Sequence, residues 1–440
     1  MFKNRLSRLL TMITSVMFLG AASAQAQIEI QFWHAMGGEL GQKLTELSER
    51  FNTTQKEFKI VPVYKGTYTE TMTAAIAAFR AKQQPHIVQV FEVGTATMMS
   101  AKGAVYPVYQ LMADQKEPFN PNSYLSAVVG YYSDSKGNIL SLPFNSSTPV
   151  MYYNKEAFRK AGLNPDQPPA TWPELEAAAK KLQAAGYVCG FTTAWPSWVQ
   201  LENLSAIHDQ PIATKANGFD GLDTVLQLNG DLQVRHIGKL AEWQKTKIFD
   251  YGGRQSNSAP KFYSGECTMY MNSSAAYAAV RANAKFEFGV GMLPYWPDVT
   301  QNPKNSIIGG ATLWVLNGHP KEHYRGVAKF FSYLSSPEIQ TEWHQFSGYV
   351  PITNKAYEIT LEQGFYGKNP GTDVSIKQLT RGTPSQNSKG LRLGSFAQIR
   401  DIIENEIEAI LSGKKTAKQG LDDAVRQSND LLRQFERTNR

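Results

Sequence analysis

Beyond the first 24 residues, no stretch of this 440-residue chain is apolar over the roughly 20 residues that a membrane-spanning helix needs. A helical membrane protein is therefore excluded. Excess charge is also scarce. The net charge is +7, and Lys3, Arg5 and Arg8 account for three of it, so the remainder carries only +4. That surplus is too small to mark a nucleic-acid-binding surface. Catalytic signatures are missing as well: there is no GxxxxGK[ST], no HExxH and no GxSxG. Gly289-Val290-Gly291 lacks the third glycine of a dinucleotide loop and runs into Pro294. No internal repeat and no low-complexity segment is found.

What remains is a globular composition, 42% hydrophobic, 11% aromatic and 19% charged, which rules out disorder, collagen and coiled coil. At about 100–200 residues per domain, the length suggests two or three domains. Residues 1–24 read as a signal peptide: a basic start, the apolar run Leu9–Ala22, then small residues with cleavage expected after Ala24 or Ala26. No cysteine follows the small residues, which argues against a lipid anchor. The mature protein is expected to be exported and soluble. Its two cysteines, Cys189 and Cys267, are expected to be bridged there, two buried thiols being the alternative.

Strand and helix patterns alternate from the start of the mature chain. Ile28–Phe32, Ile60–Tyr64 and His86–Phe91 read as strands. Between them, Leu40, Leu44, Leu47 and Phe51, then Met72, Ile76 and Phe79, recur at helical spacing. This order implies a parallel sheet flanked by helices, with ligands bound beyond the carboxyl ends of the strands. A second α/β unit starts near Pro143, with a strand at Val150–Tyr153 and a capping box, Thr171 to Glu174, opening a helix. Ile307–Val315 reads as a strand and Glu322–Leu334 as a helix. Two helices end the chain, the first with Ile399, Ile402, Ile403, Ile407, Ile410 and Leu411 on one face.

Several features suit an anionic ligand, each beside a plainer reading. Asn272-Ser273-Ser274 opens an alanine-rich segment, Ala275–Ala284, read as a helix whose amino end attracts anions or is simply capped. Gly309-Gly310 interrupts a strand, for close approach of a ligand or as a bulge. Asn145-Ser146-Ser147 lies at the apparent crossover between units. Trp195 and Trp198 offer flat walls or a core pair. His34 reads as structural, and His319 with His323 as solvated rather than as a metal site.

Several ordered stretches carry a resemblance. They include Phe32-Trp33-His34, Tyr64-Lys65-Gly66-Thr67-Tyr68, Glu92 to Met99, Pro143 to Pro149, Ile307 to Ala311, Glu342 to Gln345, and Gly390 to Gly394. Together they resemble the glycerol-3-phosphate-binding branch of the extracellular solute-binding proteins, the family of the maltose binder, along essentially the whole mature chain. Gly37, where the branch has an acid, and Phe346-Ser347 depart from its pattern.

The resemblance implies a two-lobe α/β fold of the type II periplasmic-binding class, each lobe a mostly parallel sheet flanked by helices, with ligand in the cleft. The first lobe is expected at 27–142 plus 305–348 and the second at 143–304 plus 349–440. It implies a monomeric, non-enzymatic periplasmic receptor for sn-glycerol 3-phosphate or glycerophosphodiesters such as glycerophosphocholine. The partners would be the inner-membrane permease subunits of an ABC importer, with no cofactor, metal or nucleic acid. A receptor for a sugar or oligosaccharide in the same family is the second reading, and a secreted phosphodiester hydrolase the third. The resemblance also implies ligand contacts from Tyr68, Glu92, Ser147, Ser273, Gly310, Tyr349 and Arg400, with Trp195 and Trp198 lining the cleft. From the ligand's chemistry, Arg400 is expected to grip the phosphate. Glu92, an acceptor only, is expected to hold the glycerol hydroxyls at the opposite end.

Overall fold

The computed structural model describes residues 27–440; the signal-peptide segment lies outside them. Among the described residues, ten strands form two sheets. The first contains β1 (Ile28–His34), β2 (Phe58–Tyr64), β3 (Ile87–Phe91), β4 (Val105–Tyr106), β5 (Leu142–Ser147) and β10 (Gly309–Leu316). Its order is β2-β1-β3-β10-β4, with β5 also pairing β10. The second contains β6 (Pro149–Asn154), β7 (Cys189–Thr193), β8 (Cys267–Ser273) and β9 (Phe288–Gly291), in the order β7-β8-β6-β9.

The sheets are mixed rather than mostly parallel. β1 pairs in parallel with β2 and β3, and β7 with β8. β10 runs antiparallel to β3, β4 and β5, and β6 antiparallel to β8 and β9. The alternating pattern foretold the parallel pairs of β1 with β2 and β3, because a helix carries the chain back between successive strands. β10 instead returns from the second sheet and enters the first from the other end.

Local chemistry sets the helices that matter for the site. Thr67 caps the helix Tyr68–Arg80 through the Glu70 amide, and Glu70 reaches back to the Thr67 amide. Such a cap stabilises by about 1 kcal/mol and fixes where Tyr68 begins its helix. The expected Thr171–Glu174 box opens the helix Trp172–Ala184 in the same way. The segment after Ser273 is shorter than its alanines suggest: a 3₁₀ turn, Ser274–Ala276, leads into a helix that ends at Asn283. Helix Phe396–Leu411 buries Ile399, Ile403, Ile407 and Ile410 and presents Arg400 from the same stretch. Cys189 and Cys267 are register partners on neighbouring strands and form a disulfide. No helix among the described residues is long and apolar enough to cross a membrane.

The chain crosses between the sheets where β5 ends and β6 begins, at Ser147-Thr148-Pro149. Segments from elsewhere meet this crossing. Thr148 Oγ1 contacts Ser306 Oγ, Ser274 N–H donates to the Thr148 carbonyl, and Val350 N–H donates to the Ser146 carbonyl.

Candidate functional site

A cavity of about 250 Å³ opens beside this crossing, and all nine residues named from the sequence line it. Tyr68 and Glu92 come from the carboxyl-end side of the first sheet. Ser147 ends β5, Gly310 is the second residue of β10, and Tyr349 follows helix Pro337–Ser347. Ser273 ends β8, Trp195 and Trp198 follow β7, and Arg400 comes from the penultimate helix. Aliphatic residues, among them Leu40 and Ala279, complete the walls.

One end holds charge. Arg400 offers Nε and Nη2 to the two carboxylate oxygens of Glu202, at 2.8 and 2.7 Å. Its Nη2 also lies 2.8 Å from Glu92. Arg400 is 8% exposed, Glu92 6% and Glu202 1%. Burial opposes the Arg400 charge, but Glu202 and Glu92 outweigh it and hold the guanidinium well above its ordinary range. Burial raises the Glu92 carboxyl, with Arg400 pulling it down and Glu202 pushing it up. The expected separation of Arg400 and Glu92 to opposite ends is therefore wrong: they are an ion pair. The pairing brings together two distant segments, and no local pattern announces it.

Neutral groups line the same cavity, near enough to Glu92 that its carboxyl acts on both tyrosine hydroxyls. Asn145 Nδ2 donates to the Tyr68 hydroxyl at 3.1 Å, and the Tyr68 and Tyr349 hydroxyls interact. Behind them, Gln89 Nε2 donates to Asn145 Oδ1 at 2.9 Å, and the Ala35 amide donates to Gln89 Oε1 at 2.8 Å. The tyrosine rings are fixed by stacking, Tyr68 on Phe91 and Tyr349 on Trp343. Burial raises both phenols above their ordinary range, so both stay protonated at neutral pH, and the bond between them leaves one of the two protons free for a ligand. Ser273 Oγ accepts from the Ala275 amide at 3.1 Å, leaving its own proton to donate.

Backbone geometry shapes the walls. Gly310 has φ +97°, and a Cβ there would lie 1.9 Å from the Asn145 carbonyl oxygen. A Cβ at Gly309 would lie 2.5 Å from the Trp198 ring, so the indole rests on bare backbone. Trp195 itself sits at φ +45°, a strained conformation for a bulky residue, of the kind that collects at binding sites.

Sequence reasoning missed Glu202, Asn145 as a brace, and Gln89. The available signal for Glu202 was a lone acid in the otherwise mostly apolar stretch from Val199 to Ile207. His34 has a structural role: it is buried and Nδ1 accepts from the Met36 amide, and burial lowers it to about 4. His319 and His323 are not simply solvated, because they stack with His86. Gln31 N–H donates to His86 Nδ1, which leaves the His86 proton on Nε2, 2.8 Å from His323 Nδ1. The lone pairs a metal would need from this pair are thus already engaged.

The model for bacterial extracellular solute-binding proteins matches residues 46–370. The chain is 51% identical to the sn-glycerol-3-phosphate-binding periplasmic protein UgpB of Yersinia pseudotuberculosis, over the whole of both. It is 52% identical to the protein of the same name from Escherichia coli O6:K15:H31, over 95% of each. Among solved structures, UgpB of Mycobacterium tuberculosis in complex with glycerophosphocholine superposes with a TM-score of 0.76, at 21% identity, over 92% of this chain and 98% of that one. The cyclic α-maltosyl-1,6-maltose binding protein of Arthrobacter globiformis gives 0.70, at 19% identity, over 93% and 100%. These likenesses carry the two-lobe type II fold, and with the family match and full-length relatives they place the protein: it belongs to the bacterial extracellular solute-binding proteins.

Proposed function

We propose that this chain is a periplasmic receptor that captures sn-glycerol 3-phosphate, and glycerophosphodiesters such as glycerophosphocholine, and delivers them to the permease of an ABC importer. The whole-chain identity to receptors bearing that name supports the ligand class. The observation that carries the binding mode is the ion pair of Arg400 with two buried carboxylates. One guanidinium is shared by two carboxyl groups, so its charge is already answered. A phosphate monoester, which carries about −1.5 to −2 at pH 7, finds no unpaired cation there. The phosphate therefore belongs with the neutral groups, on the hydroxyls of Tyr68, Ser147, Ser273 and Tyr349 and on the backbone at Gly310. The glycerol hydroxyls belong at the charged end, donating to Glu92 and accepting from Arg400. This exchanges the roles expected from the sequence alone.

Trp195 and Trp198 wall the space between and exclude water, which strengthens each polar contact. Neutral hydrogen bonds contribute about 1 kcal/mol each and charge-assisted ones about 1.5–3 kcal/mol. Several are needed to reach the roughly −8 kcal/mol of micromolar binding. The donors are split between the two sheets, so the two halves close on the ligand as a hinge. We draw the lobes at 27–142 with 305–352, and 143–304 with 353–440. The last crossing moves from residue 348, expected from the sequence, to after Ile352, because Val350 and Ile352 pack in the core of the first sheet. The receptor acts as a monomer without catalysis.

Titration calorimetry with sn-glycerol 3-phosphate, glycerophosphocholine and maltose tests the reading. Binding of the first two and silence with maltose is expected. Maltose binding alone would favour a sugar receptor, which the indole walls also suit. Choline released from glycerophosphocholine by the pure protein would reveal an enzyme instead.

A further inference from the structure

We infer that Glu202 is a positioning residue for ligand recognition, acting through Arg400 from a π-helical turn. The inference rests on the reading above. Glu202 does not line the cavity, yet both its oxygens are spent on Arg400. A residue 1% exposed, holding a cation that does line the cavity, is poorly explained as general packing. A buried ionic group of this kind seldom improves on apolar packing for stability alone.

The turn that carries it, Trp198–Asn203, is π-helical, a rare wide turn that collects at functional sites. It ties three walls together. Trp198 is one wall. Asn203 Oδ1 accepts from the Ile307 amide at 2.9 Å, just ahead of Gly309-Gly310, and Asn203 Nδ2 donates to the Trp198 carbonyl at 3.1 Å. Glu202 supplies the third tie, to Arg400. With Nε and Nη2 occupied, Arg400 keeps Nη1, which bonds no described residue, for the ligand. The plane of the guanidinium is fixed, so this remaining donor points in one direction. The second carboxyl group also occupies the guanidinium that a free anion would seek. Glu202 thus makes Arg400 a donor to polyol hydroxyls and denies it to free anions.

The test compares sn-glycerol 3-phosphate with inorganic phosphate, the latter measured by competition, on wild type, E202Q and E202D. Only the ester uses the Arg400 end. E202Q is expected to weaken the ester by about ten-fold or more while inorganic phosphate is little changed or tighter, so the ratio falls. E202D, which keeps the charge on a shorter stem, recovers part of the ratio. Parallel loss of both ligands, or an unchanged ratio, overturns the inference, because a merely structural residue would act that way. A second readout needs no ligand. In ¹⁵N-arginine-labelled protein, the Nε–H resonance of Arg400, assigned through R400K, should exchange slowly in wild type and at least ten-fold faster in E202Q. Equal exchange overturns the positioning role. If wild type fails to bind the ester, the functional reading falls, and the exchange rates still decide the role of Glu202.

Discussion

Replacing Arg400 by Met removes the cation but nearly keeps the volume, and leaves Glu92 and Glu202 facing each other without a partner. Both are more than nine-tenths buried, so water screens them poorly. Removing one partner from a buried ion pair costs about 3–5 kcal/mol when the charge must stay. A carboxyl can escape by taking up a proton. For a group whose ordinary value is 4.5, that escape costs about 3 kcal/mol at pH 7 and under about 1 kcal/mol at pH 5. The R400M protein should therefore lose about 3 kcal/mol at pH 7, and most of the loss should vanish by pH 5. Urea unfolding of both proteins at the two pH values measures it. The double variant R400M/E202Q should recover about 2 kcal/mol at pH 7 relative to R400M. A loss of equal size at pH 5 and pH 7 would refute the argument, because it would show that unpaired carboxylates are not the cause.

Glu92→Gln tests the same end by linkage. Burial, moderated by Arg400, raises the Glu92 carboxyl in the folded protein, so the native state holds that proton more tightly than the unfolded chain. The wild type should lose stability relative to E92Q as pH rises from about 4.5 through the native value; thermal midpoints that move in parallel across this window would contradict it. Gly310→Ala should abolish calorimetric binding and destabilise by at least about 1–2 kcal/mol, since its Cβ would strike the Asn145 carbonyl at a φ that alanine avoids. Reducing the disulfide, whose cysteines are 78 residues apart, should lower the unfolding free energy by about 4 kcal/mol in the chain-entropy account, read as a shift in urea midpoint.

Much of the fold was legible because its signals are local. The capping box at Thr171–Glu174 and the stripe from Ile399 to Ile410 are periodic facts about neighbours, and both stand in the structure. The antiparallel entry of β10 was not legible, because its direction depends on where the chain has been since β5. All nine candidate residues do share one cavity. Their arrangement within it was not readable. The chemistry of a free arginine suggests a phosphate clamp, and only the fold brings Glu202 and Glu92 onto Arg400. Glu202 escaped for a related reason: a π-helical turn breaks the 3.6-residue period on which helix faces are assigned.

The crossing at Ser147-Thr148-Pro149, with Ser306 bonded to Thr148 and Val350 to the preceding Ser146, is built to serve as an axle beside the cavity. If the halves swing about it, points near the rim sweep long arcs while Ser147, Gly310 and Tyr349 barely travel. A bound molecule's head would then stay seated throughout the swing, and only its far portion would feel the jaw arrive. Dyes attached to the two rims should report occupancy as a large change in separation, whereas a label beside Ser147 should stay almost silent.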